Sequence, residues 1–534
     1  MKTNFSLLKT HTRIFFLPTV TLLLLSAQST TFAGSATWDS SGSTDWNTDG
    51  NWSPATGYPG SSGPTDVATF DNLSSVTSVF ISNSITIAAI TFTASETHAF
   101  TITVDPHVGL TISGVGITNS SGITQNFVLA VNPSGGNGNN GSIEFMNSAT
   151  AGNLTAFTNN GATVSGASAG SVGFFNTSTA GSGTFTNNGA AVSGAAAGTT
   201  FFFTDSTAGS ATLIANGGTA AGASGGTIFF SDSSTGGTAS VEVFNNGTGA
   251  PGKLDISPHS AGSVAIGSLE GSGNVFLGAN NLTVGSNNLS KTFSGVISDS
   301  GGISGGTGGS LTKTGTGAFT LSGANTYTGA TTVNGGALFV NGSTSSSSVV
   351  TVNSGATLGG NGTIGGAVNV NSGATLAPGP TGNGSTGILN TGSLTLAGGS
   401  NFSLDLNGDV AGTSYDQVNV TGSVSLGVLL GSNLVIHSVS GLTAGETLFI
   451  IENDGTDPIT GTFAGLANGA TFTQDGATFQ IFYNANGQGG GNDIELSVKS
   501  VAVPEPTTWV GGVIGFVGFA CWQRRRFAQM LRRA

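Results

Sequence analysis

Residues able to carry acid–base, nucleophilic or metal chemistry are few in this sequence. Histidines occur at five scattered positions, and only His98 and His107 lie near each other, nine residues apart on different predicted strands. Cys521 is the single cysteine, so neither an internal disulfide nor a cysteine-based metal site can form. No phosphate-binding loop or zinc-protease helix is present. We therefore expect no catalytic residue, no metal and no other cofactor.

Charge narrows the possible partners. Arginine is confined to the two ends of the chain, and without the terminal segments described below only four lysines remain, Lys253, Lys291, Lys313 and Lys499. Because Glu505 also belongs to the C-terminal segment, they stand against 24 acidic residues, a net charge of −20. Such a surface repels phosphate backbones, so we expect no nucleic-acid partner. A lyase or hydrolase of polysaccharides needs clustered carboxylates and usually a positive group, which this composition supplies poorly, so we expect no enzyme activity.

Two tryptophans are candidates for contact with a sugar. Trp46 and Trp52 lie in a segment rich in Asp, Asn and Pro within residues 34–78. Exposed indole faces stack on sugar rings, but a stack of repeats also needs a cap over its first member, and large aromatic residues can supply that cover. We favour the cap, and sugar binding stays open as the alternative.

The first 33 residues have the pattern of a secretory signal peptide. A basic start is followed by an apolar run from Ile14 to Leu25, and Thr31-Phe32-Ala33 offers a cleavage site. The alternative is a retained N-terminal anchor. In either case we expect the bulk of the chain to be exported by Sec-type machinery.

The C-terminal segment, residues 503–534, has three parts in a fixed order. The motif Val503-Pro504-Glu505-Pro506 precedes an apolar run, 507–522, and then the basic cluster Arg524, Arg525 and Arg526. The run predicts a short membrane helix, with the arginines on the cytoplasmic side. The segment resembles the PEP-CTERM sorting signal of Gram-negative bacteria. That resemblance implies recognition by an exosortase, processing near the motif and transfer to the cell surface or extracellular matrix; an unprocessed membrane anchor is the alternative.

Repeated segments dominate the chain between the two terminal segments. Asn353-Ser354-Gly355-Ala356-Thr357-Leu358 recurs letter for letter at residues 371–376, and a looser copy begins at Val333. A segment of this kind cannot bury its apolar face alone, so its copies must stack. A period near 18 fits one coil of a parallel β-solenoid, which we place at residues 79–400. At ~4.8 Å per strand, on the order of 11 to 17 coils would make a rod of roughly 55 to 80 Å.

A longer repeat covers residues 141–249. Its marker glycines, at positions 152, 181, 209 and 237, are 28 or 29 residues apart. Phenylalanine pairs recur in successive units, and we expect them to stack in the core; an aromatic strip that binds a ligand is the alternative. An Asn-Gly pair also recurs, starting at Asn160, and predicts tight turns with positive φ.

Residues 308–338 carry the most specific motif, Leu311-Thr-Lys-Thr-Gly-Thr-Gly-Ala-Phe-Thr-Leu-Ser-Gly323 and its continuation to Val333. It resembles the autotransporter-associated β-strand repeat of exported bacterial passenger proteins. The resemblance implies a right-handed parallel β-helix and brings no catalytic residues with it. The short coils of residues 333–376 follow directly.

Longer predicted strands in residues 401–500 indicate a C-terminal β-cap of hairpins. The expected protein is therefore all-β, with a solenoid, two caps and one C-terminal membrane helix. We expect a non-catalytic structural or adhesive protein of the cell surface. The alternative is an extracellular β-helix protein that binds or degrades polysaccharide.

Overall fold

The computed structural model describes residues 34–132, 140–427, 430–487 and 491–501, and positions 522, 524 and 525. Apart from a one-turn 3-10 helix at Asp49–Asn51, the regular elements of residues 34–501 are β-strands. The predicted signal peptide, residues 1–33, lies outside the described residues. The described part of residues 34–501 is all-β, as predicted.

Most strands of the first half are short. The strands of this half are β1 (Ala36–Trp38), β2 (Trp52–Ser53), β3 (Val67–Phe70), β4 (Ser78–Ile81), β5 (Ile85–Phe92), β6 (Thr101–Val104), β7 (Gly109–Asn119), β8 (Gln125–Leu129), β9 (Ser142–Phe145), β10 (Thr155–Asn159), β11 (Ser171–Phe174), β12 (Thr184–Asn187), β13 (Thr199–Phe202), β14 (Thr212–Ala215), β15 (Thr227–Phe230) and β16 (Ser240–Val243). Among these strands, β5 and β7 are the longer ones. Buried and partly exposed residues alternate along most strands of this half, because successive side chains of a strand point to opposite faces.

The middle of the chain uses still shorter strands. They are β17 (Lys253–Asp255), β18 (Ser263–Ile266), β19 (Ser268–Gly271), β20 (Asn274–Phe276), β21 (Asn281–Val284), β22 (Lys291–Phe293), β23 (Val296–Ser298), β24 (Ser310–Lys313), β25 (Ala318–Leu321), β26 (Thr331–Val333), β27 (Ala337–Val340), β28 (Ser343–Thr344), β29 (Val350–Val352), β30 (Thr357–Gly360), β31 (Thr363–Ile364), β32 (Val368–Val370), β33 (Thr375–Pro378), β34 (Ile388–Thr391) and β35 (Leu394–Leu396).

Several longer strands occur near the C-terminal end. They are β36 (Asn401–Leu406), β37 (Gln417–Val420), β38 (Val424–Ser425), β39 (Asn433–Val439), β40 (Thr447–Asn453), β41 (Ile459–Thr460), β42 (Thr471–Gln474), β43 (Ala477–Ala485) and β44 (Asp493–Val501).

These strands form four sheets that run along a solenoid. Sheet 1 has 12 strands, from β2 to β23, and sheet 2 has 15, from β4 to β39. Sheet 3, with nine strands, begins at β18, and sheet 4, with eight, begins at β28. Coils therefore change from two main strands to three once sheet 3 begins. Fourteen steps of ~4.8 Å along sheet 2 make a rod of about 67 Å, within the predicted range.

The predicted stacking of repeats is confirmed residue by residue. Val333 pairs with Val352, and Val352 pairs with Val370, all in parallel strands. Leu358 of the first hexapeptide lies directly beside Leu376 of its copy. Asparagines at the start of each copy are also linked through their side chains. The side-chain NH₂ of Asn353 donates to the Oδ1 of Asn334 (2.7 Å), and that of Asn371 donates to the Oδ1 of Asn353 (2.8 Å). Identical residues at equal heights are what in-register parallel pairing requires.

The prediction for the phenylalanine pairs was half right. In each pair one ring is fully buried: Phe174, Phe202 and Phe230 form an inner stack with centroids 4.7–4.9 Å apart. Their chain neighbours, Phe175, Phe203 and Phe229, are partly exposed on the outer face. Adjacent residues of a strand point to opposite faces, so two consecutive phenylalanines cannot both enter the core.

The turn prediction for the Asn-Gly pairs was wrong in its physical reason. Gly161, Gly189, Gly217 and Gly247 do not have positive φ. Three of them pack against the backbone of another coil: a Cβ at Gly161, Gly189 or Gly247 would lie 2.0–2.1 Å from a carbonyl oxygen. These glycines are needed for close approach between coils, a role that sequence alone does not separate from turn formation.

Aromatic residues close the first end of the rod. Strand β1 pairs in parallel with β3 and antiparallel with β2, so the stack begins within residues 34–78. Trp38, Trp46 and Trp52 pack together with Phe70, with ring centroids 4.8–6.2 Å apart. This arrangement covers the inner face of the first coil.

The solenoid extends further toward the C-terminus than predicted. Strands β36 to β41 still pair in parallel with the preceding coils, up to Thr460. Among the C-terminal strands β36 to β44, antiparallel pairing of strands involves only β40, β42, β43 and β44. The hairpin cap therefore occupies only the last part of the predicted segment, residues 401–500, because the coil pattern continues there with a longer and less obvious period.

One corner of the long coils holds a residue whose replacement should stabilise the protein. Asn147, Asn176, Thr204 and Asp232 occupy equivalent places, all with φ between 53° and 57°. The amide of Asn147 donates to the side chain of Asn176, and that of Thr204 to Asp232, both at 3.0 Å. Thr204 is β-branched and has no side-chain carbonyl to offer the amide of Asn176. We expect Thr204→Asn to stabilise these coils by about 1–2 kcal/mol, since asparagine tolerates this conformation and supplies the acceptor.

The urea midpoint of the purified protein, with hydrogen exchange in residues 171–243, measures this effect. Thr204→Ala is the matched control, because it keeps the strained backbone and adds no acceptor. Equal or lower stability of Thr204→Asn than of Thr204→Ala would contradict the interpretation.

Candidate functional site

The predicted sorting segment lies almost entirely outside the described residues. This applies to Val503, Pro504, Glu505, Pro506 and Arg526, and to the predicted helix 507–522 except its last position. Arg524 and Arg525 are exposed. Within the part of the chain that the structure describes, no helix is long and apolar enough to cross a bilayer.

The tryptophans considered for sugar contact are buried. Trp46 is 0% exposed and Trp52 is 2% exposed. Their indole N–H groups donate within the protein, Trp46 to the carbonyl of Pro59 (2.9 Å) and Trp52 to that of Trp46 (2.8 Å). Neither ring has a free face for a sugar, so the structure favours the cap interpretation.

The histidines of the described chain lie apart from one another. His98 contacts Glu96 at 3.0 Å, His107 contacts Asn132 at 3.0 Å, and His259 contacts the carbonyl of Ser234 at 2.8 Å. Within the described ranges, no group of three or more His, Cys, Asp or Glu side chains could hold a metal ion. The Gly-x-Ser-x-Gly pattern occurs at residues 166–170, 222–226 and 302–306, each time in a loop with no helix after it.

A pair of buried carboxylates near the end of the solenoid was missed by the sequence reasoning. Asp405 and Asp416 are both 0% exposed. Asp405 accepts hydrogen bonds from His437 (2.8 Å), Ser438 and the amide of Gly384. Asp416 accepts from the amides of Asp405 and Gly387, both at 2.8 Å. Protein donors occupy the oxygens of both groups, so the pair ties several chain segments together. The sequence signal that could have indicated this pair is an aspartate between apolar residues of a strand, as in Leu404-Asp405-Leu406.

Burial raises the pKa of Asp416 to about 7, and the nearby Asp405 adds to the rise, while the two amides and His437 oppose it. A pKa raised by folding gives stability that is present at low pH and lost as pH rises through 7. We expect the free energy of unfolding to increase as pH falls from 7 toward 4, by at most about 1.4 kcal/mol per pH unit from this group.

Urea midpoints between pH 4 and 8 test this expectation in the wild type and in Asp416→Asn. We expect Asp416→Asn to be less stable than the wild type, because the NH₂ group of the asparagine would face the backbone N–H of Asp405 or of Gly387. The variant has no carboxyl group at this position, so the pH dependence caused by Asp416 is absent from its curve. The difference between the two curves isolates the carboxyl group, and parallel curves across pH 5–7 would refute the assignment.

A buried lysine lies inside the motif of the resemblance. Lys313 is 1% exposed and donates to the carbonyls of Thr314 (2.5 Å), Gly315 (3.3 Å) and Gly335 (3.1 Å). Burial lowers its pKa to about 8. Because Gly335 lies on the next coil, the ammonium group of Lys313 links neighbouring coils. Its three carbonyl acceptors offset the free-energy cost of burying the charge. Its role here is structural.

The outward phenylalanines form the most distinctive surface. We call Phe175, Phe201, Phe203 and Phe229 the outer strip. The rings of Phe175 and Phe203 are 5.7 Å apart and nearly parallel, and Phe201 meets both at their edges. Phe229 is 5.6 Å from Phe203. All four rings are partly exposed.

A shallow groove of about 420 Å³ follows this strip. Besides Phe201, Phe203 and Phe229 it is lined by Thr199, Thr227, Lys253 and Ile303. Ile303 is 71% exposed. Since the groove combines apolar rings with hydroxyl and ammonium groups, it is a candidate binding site.

One comparison with known proteins gives a match. Residues 311–339 match the model of the passenger-associated-transport-repeat. This confirms the predicted repeat in that stretch, a small part of the chain, and it is consistent with an exported cell-surface protein. No curated protein matches the chain.

Proposed function

We propose that the chain is an exported structural or adhesive protein of the cell surface and has no catalytic activity. The passenger-type repeat, set within a continuous stack of coils, is the observation that carries this proposal. The coils make a long rod whose core is sealed by aromatic residues at one end and by hairpins at the other. A right-handed coil, as the resemblance implies, completes the proposed architecture.

The C-terminal segment determines the proposed route. Sec-type machinery exports the chain, and the helix at 507–522 holds it in the membrane with Arg524, Arg525 and Arg526 on the cytoplasmic side. An exosortase then acts near Val503-Pro504-Glu505-Pro506 and releases the rod to the surface or matrix. The order of motif, apolar run and basic cluster supports this proposal.

We expect the mature protein of the native host to end near Pro504 to Pro506. Mass spectrometry of the C-terminal peptide from the surface fraction measures this directly. A host strain without exosortase should retain the whole segment in the membrane fraction. A surface protein that still ends at Ala534 would reject the sorting proposal.

The absence of catalysis is proposed from the polar groups themselves. The oxygens of Asp405 and Asp416 are used by protein donors, and Lys313 is bonded to three carbonyls. Groups fixed in this way support the fold and are poorly placed to exchange protons with a substrate.

A further inference from the structure

The outer strip follows a line of residues on sheet 1 that is polar on most other coils; Phe276, two coils beyond Phe229, is a further aromatic member. Parallel pairing aligns Thr86, Thr111, Glu144 and Gly173 on successive coils, and Phe201 and Phe229 continue the same line. The change from polar to aromatic residues covers only a few coils. Core packing does not require it, because these positions point outward.

The strip is shaped by its neighbours. Gly173 leaves room for the ring of Phe201, since a Cβ there would lie 2.3 Å from it. At the other end, the loop of residues 299–309 folds back over sheet 1. The buried carboxylate of Asp255 accepts from the amide of Ile303 (2.9 Å), and the hydroxyl of Ser257 accepts from that of Ser304 (3.1 Å). These bonds hold Ile303 beside the phenylalanines.

Charge and shape limit what can occupy this groove. The net charge of −20 between the two terminal segments, with Glu144 in line with the strip, disfavours polyanions. An acyl chain would leave much of its surface in water in so shallow a groove, and would gain little. A second copy of the chain is repelled by its own charge, and four partly exposed rings fall far short of the ~800 Å² per partner of a stable interface.

Sugar rings of an uncharged polysaccharide fit these limits. Such a ring has an apolar C–H face that can lie on phenylalanine, while its hydroxyl groups stay in water or bond to Thr199, Thr227 and Lys253. Two coil steps between Phe175 and Phe229 span about 10 Å along the rod, enough for a short stretch of sugar rings.

We propose that the outer strip binds an uncharged polysaccharide chain that runs along the solenoid axis. This rests on the proposed placement at the cell surface, where such polymers are met, and it gives the adhesive role a site. The contacts are the rings of the outer strip and Ile303.

The test is affinity electrophoresis of the full-length protein, purified in detergent, in native gels that contain galactomannan, mixed-linkage β-glucan or, as a polyanion, alginate. We expect retardation by at least one neutral polymer and none by alginate. Phe203→Ala with Phe229→Ser should weaken binding about tenfold or more. Ile303→Ser, which changes a 71% exposed side chain and keeps the backbone amide that Asp255 accepts from, should weaken it severalfold. Phe80→Ala, a 39% exposed phenylalanine on sheet 2, should have no effect.

Three outcomes would overturn this proposal. They are no retardation by either neutral polymer, retardation that the outer-strip variants leave unchanged, and sedimentation as a dimer that Phe203→Ala converts to monomer. Because the assay uses purified protein, it is independent of the C-terminal mass measurement, so failure here and failure of the surface proposal can be told apart.

Discussion

Replacing Phe202 with alanine is expected to destabilise the coils around it by about 3–5 kcal/mol, whereas Phe203→Ala should cost about 1 kcal/mol. The two residues are adjacent and identical. The ring of Phe202 is fully buried between Phe174 and Phe230, at 4.9 and 4.7 Å, so its removal leaves a cavity that a tightly stacked core cannot close. The ring of Phe203 lies in the outer strip, where water can fill the vacated space.

Hydrogen exchange of the amides in residues 171–230, together with the first urea transition, measures this difference. A local readout is needed because each coil contacts mainly its neighbours, so the defect is expected to spread over a few coils and not the whole rod. Similar losses of protection in the two variants would contradict the assignment of inner and outer faces.

Gly189→Ala is expected to cost about 3 kcal/mol or more, although it adds one methyl group. The new Cβ would lie 2.1 Å from the carbonyl oxygen and 2.4 Å from the carbonyl carbon of Gly217. Both atoms belong to the backbone of the next coil, so whole coils must separate to make room. Strands that separate lose hydrogen bonds along their length, which makes this a large effect for a small change.

Gly217→Ala is the matched control, because it alters the same Asn-Gly pair one coil further on. Its nearest neighbour would be the amide nitrogen of Asn246 at 3.2 Å, a contact that a small shift relieves. We expect a loss of 1 kcal/mol or less there. Resistance to limited proteolysis and urea midpoints compare the two variants, and equal stability would show that the glycine at 189 is dispensable.

Sequence patterns predicted the repeat architecture well. Parallel strands bring equivalent residues to the same height, so the recurrence of Val333, Val352 and Val370 predicted a pairing that the structure confirms. The candidate sites were harder to predict. Trp46 and Trp52 could cover a core or bind a sugar, and composition does not choose between these roles. The sorting signal in the C-terminal segment stays a prediction, because most of its residues lie outside those that the structure describes.

The sequence by itself determined the all-β class, the coil periods and the register, because each depends on local alternation and on the spacing of identical residues. Only the tertiary structure decided which phenylalanine of each pair points inward. Consecutive side chains of a strand point to opposite faces of the sheet. When both are phenylalanine, the two faces are equally apolar, so the packing of the strand against the neighbouring sheet decides which face is buried. The same applies to Gly189, Lys313 and the Asp405–Asp416 pair: their surroundings come from other coils, and contacts across coils are set by packing that no local pattern records.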